Sequence, residues 1–355
     1  MKIAYTTKVA EENELERLVI DGYGKYIGRK GDRIVVKEEG KIVAQALPEE
    51  LRQVLITGHG AITFDALNLL AKNGVDVILI DRQGELTTRL SPPELRTVLT
   101  RREQYYAYKD RRGLILSKEF VLAKLKNQYS TLGTLAKRRK DSDANSSDKI
   151  YEKRKEISLK IQEIEQIDAE NIDSVRSSIM SVEGIASMNY WSAIMLIIPE
   201  EFGFKERSGR YASDPINAML NYGYGILEGE VWRAIHFAGL DPYGGFLHVD
   251  KPGKPSLVLD LMEEFRQQII DKSIIKLVSR KEVKPEDFST KDNLCFLEDR
   301  ARRTLLKEIL ERFEDCIAIG EEKIRWCDLI LNQARKIGKF LRGEIPSYEG
   351  FWLRW

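Results

Sequence analysis

The chain has 355 residues, 43% of them hydrophobic, which is enough for two domains with packed cores and too apolar for a disordered tail. Its 57 Lys and Arg nearly cancel 56 Asp and Glu, so the net charge excludes a globally basic nucleic-acid binder and any nucleic-acid surface has to be local. The three cysteines, Cys295, Cys316 and Cys327, are odd in number and too widely spaced for a metal clip, which argues against a disulfide framework or zinc finger and for a reducing cytoplasm.

The opening stretch MKIAYTTKVAEENELERL lacks the apolar core of a signal peptide, and no apolar run approaches the roughly 18 residues that cross a bilayer. The expectation is a soluble cytoplasmic protein without a membrane role.

Residues 15 to 90 read as short β-rich pieces. RLVIDGYG, YIGRKGDRIVVKEEGKIVAQAL, QVLITG and GVDVILIDRQGELTTRL carry β-branched runs between Gly and Asp turn signals. KEEGK suits a hairpin loop between IVV and IVAQ, and AITFDALNLLAKNG has helical spacing closed by a glycine. Gly22, Gly24 and Gly28 form G-x-G-x-x-x-G, one residue too long for a dinucleotide fingerprint and followed by a strand instead of a helix, so they read as turn glycines.

At LSPPELRT the texture changes, because Pro92 and Pro93 block a strand and can start a helix. A domain boundary is therefore expected near residue 91, with a β-rich domain over 1–90 and a helical domain over 91–355. The fold class expected is α+β with two domains: a small N-terminal β-sandwich-like domain and a larger all-α-helical catalytic domain.

The stretch 95 to 180 predicts two or three helices, interrupted at 137–149 by KRRKDSDANSSDK, an exposed loop that is either simply solvated or a DNA-facing basic tip. Further helices are expected over 183–198, 214–238, 258–279, 292–318 and 321–342.

Of the three histidines, His59 reads as a turn residue and His236 as a satisfied core or interface residue. His248 is different because acids follow it. A helix starting near Ser256 would project Asp260, Glu263 and Glu264 on one side, where they repel unless a cation is bound. The competing reading is an ordinary acidic helix start that favours the macrodipole. Glu183, in SVEGIASMNYW, is a further carboxylate beside small residues, suited to a helix start that another chain approaches closely. A set of Glu, His and Glu or Asp with an open position suits Mn²⁺ or Mg²⁺ in phosphoryl transfer, since carboxylates hold a hard cation and one imidazole shifts preference toward manganese.

RREQYYAY, VEGIASMNYW, SDPINAMLNYGYGIL, AGLDPYGGFLHVDKPGKPSLVLDLMEEFR and ILNQARKIGKFLRG together resemble the CRISPR-associated integrase of spacer acquisition, the metal-dependent DNA endonuclease family also called Cas-one, in its archaeal type. The resemblance runs over essentially the full length. It implies metal ligands at Glu183, His248 and Glu263, with Asp260 as a further catalytic acid whose role as ligand, orienter or general base stays open. It also implies a homodimer, with the β-rich domain serving dimer and partner contacts, and a small ferredoxin-fold Cas-two partner. The activity implied is joining short duplex DNA into the CRISPR repeat array by transesterification. The alternative is a DNA-binding scaffold that keeps the fold without catalysis.

Local basic residues agree with a DNA substrate. Arg101, Arg102, Lys109, Arg111 and Arg112 surround Tyr105, Tyr106 and Tyr108, as phosphate contacts beside stacking platforms or as a charged helix face over core tyrosines. Lys205, Arg207 and Arg210 are candidates to grip the backbone, and Arg266, one turn beyond Glu263, to neutralise charge on the phosphate. Asn217, Asn221, Tyr222 and Tyr224 are expected to organise the helix core by hydrogen bonds.

Overall fold

The computed structural model describes residues 4–6, 16–91, 97–209 and 211–354. The chain divides into two compact units, Met1–Glu94 and Leu95–Trp355. Pro92, Pro93 and Arg210 lie outside the described residues.

The first unit runs β1 (Ala4–Thr6), β2 (Glu16–Ile20), β3 (Lys25–Lys30), β4 (Arg33–Glu38), β5 (Lys41–Ala46), β6 (Leu51–Ile56), β7 (Gly60–Ile62), α1 (Phe64–Lys72), β8 (Asp76–Ile80) and β9 (Leu86–Leu90). One sheet has the order β1-β2-β6-β8-β9 and the other β5-β4-β3-β7. β2, β6 and β8 are parallel, as strands joined by long connections can be, whereas β3, β4 and β5 form antiparallel hairpins. Leu18, Ile20, Val54 and Val77 from one sheet meet Ile27, Ile34 and Val36 from the other, with Ala66 and Leu70 of α1, in a single apolar core. Two sheets and one helix thus bury their apolar faces on one another. His59 follows β6 in a turn, its ring stacked 4.9 Å from Tyr23.

The second unit begins with α2 (Val98–Ala107), α3 (Arg111–Arg139), α4 (Ala144–Gln166), α5 (Arg176–Met195), α6 (Pro215–Phe237) and α7 (Ser256–Met262). A π-helical turn, Arg266–Asp271, then leads into α8 (Lys272–Ser279). The chain continues through β10 (Phe288–Lys291), β11 (Leu294–Leu297), α9 (Asp299–Glu314), β12 (Cys316–Ile319), β13 (Glu322–Arg325) and α10 (Trp326–Leu341). Asp110, Asp143 and Asp214 cap α3, α4 and α6, accepting from Arg112 N, Ser146 N and Asn217 N; each such cap stabilises its helix by about 1 kcal/mol.

Several expectations are corrected. The larger unit is not all-α: β10–β11 and β12–β13 are antiparallel hairpins. The helix expected over 292–318 is therefore α9 flanked by strands, and that over 321–342 starts only at Trp326. Short β segments with Asp292 and Asn293 at φ 51° and 62° make a tight turn that helical periodicity did not reveal. The exposed loop expected over 137–149 shrinks to 140–143, because α3 continues to Arg139 and the Asp143 cap starts α4. The helix expected over 258–279 tightens into i→i−3 turns at 263–265 and then widens, under-wound, into the π turn.

Candidate active site

α7 places Asp260 at full burial against the loop that precedes it. Its Oδ2 accepts from Phe246 N at 2.7 Å and Leu247 N at 3.0 Å, and its Oδ1 from His248 N at 3.0 Å and His248 Nδ1 at 2.6 Å. A carboxylate offers about four acceptor sites, so the loop and the histidine use all of them. With Nδ1–H donated to a carboxylate, the imidazole presents its Nε2 lone pair outward. Gly245 allows the approach: a Cβ there would lie 2.5 Å from Ser256 Cβ at the start of α7.

The three acids do not share one side. Asp260 faces the 246–248 loop, Glu263 faces a cleft, and Glu264 faces the segment 348–351. The α-helical period is interrupted at 263–265 by i→i−3 turns, so the i, i+3, i+4 spacing no longer sets the directions.

The cleft encloses about 510 Å³ and is lined by Lys124, Glu183, Lys205, Arg207, Glu263 and Arg266, among others. Glu183 sits two turns inside α5, not at its start. Its Oε1 accepts from Ser187 Oγ at 2.7 Å, and Gln128 Nε2 donates to Ser187 Oγ at 3.2 Å. No chain crowds Gly184, where an added Cβ would meet nothing within 4 Å; its small size leaves the cleft open beside Glu183.

Lys124 of α3 joins the carboxylates. Its Nζ lies 2.6 Å from Glu183 Oε1 and 2.7 Å from Glu263 Oε2, while Arg266 Nε lies 3.2 Å from Glu263 Oε1. Burial alone would raise the Glu263 carboxyl, but Arg266, Lys124 and then His248 pull it down to about 2. Burial also opposes charge on Lys124, yet Glu263 and Glu183 hold its ammonium above the usual lysine range. Glu263 Oε2 is buried against the Lys124 ammonium. A cation is thus already accommodated between two carboxylates.

Lys124 was not singled out from sequence. Its signal is positional: within FVLAKLKNQ it falls four residues after buried Phe120 and four before buried Gln128, on the inward phase of α3.

Behind Glu263 the basic side chains are organised by one tyrosine. The guanidinium carbons of Arg266 and Arg207 lie 4.6 and 5.4 Å from the Tyr224 ring centre. The Tyr224 hydroxyl donates to Asp271 Oδ1 at 2.7 Å, and Tyr190 donates to Asp271 Oδ2 at 2.8 Å. Burial pushes the Asp271 carboxyl up to about 6 despite these donors and the charges of Arg266 and Arg207. Arg207 donates to Asn217 Oδ1 at 3.0 Å and Asn221 Oδ1 at 2.8 Å, and the same amides hold Glu206 O and Gly209 O. Asn217 and Asn221 therefore latch the loop that carries Arg207. Lys205 is exposed at the cleft.

Other basic candidates are not brought there. Arg101 and Arg102 lie on α2 and line neither this cleft nor the hollow of about 610 Å³ beside Tyr105, Tyr108 and Lys251. Arg111 pairs with Asp168, and Arg112 with Glu103 and Asp110. Tyr105 and Tyr106 are exposed, so they are not core tyrosines, although Tyr105 donates to Asp241.

Among the described residues no three His, Cys, Asp or Glu side chains close into a metal-binding cluster. The donors nevertheless fit a divalent ion in kind: two carboxylates on a shared cation, and a histidine fixed with one nitrogen free. Among the described residues no helix is long and apolar enough to cross a membrane.

Residues 18–311 match the family model described as CRISPR associated protein Cas1. The chain is 48% identical over 345 residues to a CRISPR-associated endonuclease Cas1 of Archaeoglobus fulgidus, covering 96% of this chain and all of that one. Its structure is similar to a casposase bound to an integration product, with TM-score 0.79 and 26% identity over 94% of this chain and 92% of that chain. It shares its fold with part of a Cas6-RT-Cas1–Cas2 complex, with TM-score 0.76 and 20% identity over 97% of this chain and 37% of that one. The chain belongs to the family of CRISPR-associated Cas1 proteins.

Proposed function

We propose that the protein is a divalent-metal-dependent DNA endonuclease and integrase of CRISPR adaptation, joining short duplex DNA to the CRISPR repeat array by phosphoryl transfer. The observation that carries the reading is the pairing of Glu183 and Glu263 on one ammonium in an open cleft walled by arginines. Glu183, Glu263 and His248 through Nε2 would hold Mn²⁺ or Mg²⁺. When bound, such an ion polarises the scissile phosphate and lowers the pKa of the attacking hydroxyl.

The chain's own residues supply the rest. Asp260 orients His248 and is not itself a ligand, since its oxygens are occupied by the loop. Arg266 and Arg207, pre-set by Tyr224, meet the nonbridging oxygens of the phosphate, where guanidinium forks are well matched. Lys205 grips the backbone at the rim. Duplex or branched DNA is the substrate, by analogy with the casposase neighbour and its integration product. A homodimer acting in the cytoplasm with a Cas2-type partner follows from family membership, and the structural neighbour that contains Cas2 supports that partner.

The test is strand joining by purified protein, given Mn²⁺ and a protospacer-like duplex with a repeat-containing target. Joining and branched-DNA cleavage are expected from the native chain and absent from Glu183→Ala. A folded native protein that does neither, with either metal, overturns the reading; equal activity in Glu183→Ala overturns the ligand set.

A further inference from the structure

The segment 345–354 crosses α3 and the break after α7 through a dense set of buried polar contacts. Glu264 is fully buried, and all three of its donors come from the segment or from α10 beside it. Tyr348 OH donates to Oε1; Phe351 N at 2.8 Å and Gln333 Nε2 at 2.9 Å donate to Oε2.

The backbone of Glu264 is held too. Asn127 Nδ2 donates to Glu264 O at 2.9 Å and to Phe351 O at 3.0 Å, while Asn127 Oδ1 accepts from Leu353 N at 3.0 Å. One amide therefore ties α3, the break and the segment together. Ser130 Oγ donates to Leu353 O at 2.7 Å and Gly350 N donates to Glu119 Oε2 at 3.0 Å, so α3 grips the segment over three turns.

Apolar packing closes the assembly. Phe351 stacks on Phe265 with centroids 6.1 Å apart and meets Trp326 edge-on at 5.7 Å. Gly350 presses on α3 so closely that a Cβ would lie 2.5 Å from Glu119 O and 2.8 Å from Ala123 Cβ.

These contacts bear on the active site because of adjacency. Glu263 and Glu264 are neighbours that point opposite ways, one to the cleft and the other to the segment. They sit where the α-helix gives way to tighter turns, the amides of 263, 264 and 265 each bonding three residues back, so α-helical geometry does not fix the direction of Glu263. α3 carries both ends of the coupling: Lys124 contacts Glu263, and Asn127, one turn on, holds Glu264.

We propose that residues 345–354 form a positioning strap for the active site: by satisfying Glu264 and its carbonyl they hold the 263–265 break in the one orientation that aims Glu263 at Lys124 and Glu183. Phe351, Tyr348 and Asn127 are positioning residues, since none of them reaches the cleft. For metal affinity, the inference rests on the reading of Glu263 as a ligand.

The experiment compares full-length Phe351→Ala, Tyr348→Phe and Phe351→Leu with the native chain. Free Mn²⁺ is titrated by electron paramagnetic resonance, and amide exchange is followed in peptides spanning 260–271 and, as a control, 180–190. In folded Phe351→Ala, Mn²⁺ affinity is expected to fall about tenfold, in the range found for groups that orient ligands. Exchange over 260–271 should quicken while 180–190 stays unchanged, and Phe351→Leu, which keeps an apolar side chain on Phe265, should recover most of both.

Should Phe351→Ala fail to fold, Tyr348→Phe decides, since it removes one oxygen and leaves the ring. Mn²⁺ affinity within twofold of native in a folded variant, or unchanged exchange over 260–271, overturns the strap. If the native chain binds no Mn²⁺, the ligand reading fails by itself, and the exchange comparison alone decides whether 345–354 holds the break.

Discussion

His248 Nδ1 and Asp260 Oδ1 lie 2.6 Å apart, and the same carboxylate closes three backbone N–H groups of residues 246–248. Asp260 thus does for His248 what an orienting carboxylate does for a metal-bound imidazole: it sets the tautomer and the ring plane. Asp260→Asn turns one acceptor oxygen into a donor that faces N–H groups. Because the site is fully buried, the variant is expected to lose about 3 kcal/mol of stability in urea unfolding. Mn²⁺ affinity should fall by about 10- to 100-fold. An unaltered Mn²⁺ affinity would remove the orienting role.

Lys124 poses the opposite case, a group that would compete with a divalent ion held by Glu183 and Glu263. Its ammonium neutralises Glu183 and Glu263 when no metal is bound, and Lys124→Met leaves two largely buried carboxylates facing each other. Without metal the variant should unfold with about 3 kcal/mol less stability, the usual scale for breaking a buried pair. With Mn²⁺ it should recover more stability than the native chain does, because the ion no longer displaces an ammonium. Denaturant midpoints with and without Mn²⁺ decide this; a smaller metal effect in Lys124→Met would show that the lysine assists metal binding.

Asp271 makes stability depend on pH in a direction unusual for a carboxylate. Its folded-state value of about 6 lies above the ordinary aspartate value of 3.8, so the folded chain holds a proton that the unfolded chain has released. Stability therefore falls as pH rises from about 4 to about 6 and is flat with respect to this group outside that window. Two units correspond to about 3 kcal/mol. Asp271→Asn, which cannot titrate, should reduce the loss of stability over that window when urea unfolding is measured at several pH values. An identical pH slope in the variant would mean that the Tyr190 and Tyr224 hydroxyls stabilise the ionised form fully.

Much of this site was legible in the residues, and the gaps have physical causes. The alternation in YIGRKGDRIVVKEEGKIVAQAL revealed β3 to β5, because a half-buried sheet shows a period of two. The start of α7 at Ser256 followed from the turn before it. What failed was the assumption that a helix once begun continues, since the break at 263–265 sends Asp260, Glu263 and Glu264 three ways. Spacing cannot report such a break when the residues through it are good helix formers. The hairpins around α9 were missed for a related reason: four-residue strands are shorter than any periodicity can resolve. Lys124 lay hidden because a lysine is expected to face water, and only its phase among buried neighbours marks it as internal.

The latch of Asn217 and Asn221 on Arg207 leads to the remaining prediction, which concerns DNA. Both amides spend their oxygens on the guanidinium, and Tyr224 backs it with Arg266 beside it, so Arg207 is pre-ordered before any ligand arrives. If it meets a phosphate, Arg207→Ala removes one counterion-releasing contact, and the slope of log K against log salt for duplex binding should shrink by about 0.9. Asn221→Ala leaves the charge in place but frees the fork, so the slope should hold while affinity falls several-fold through the entropy of re-ordering the side chain. Arg102→Ala, exposed on α2 and away from the cleft, serves as the contrast; the same loss of slope there would place the DNA path along α2 as well. Measured without metal, these titrations separate backbone grip from chemistry, because none of the three substitutions touches Glu183, His248 or Glu263.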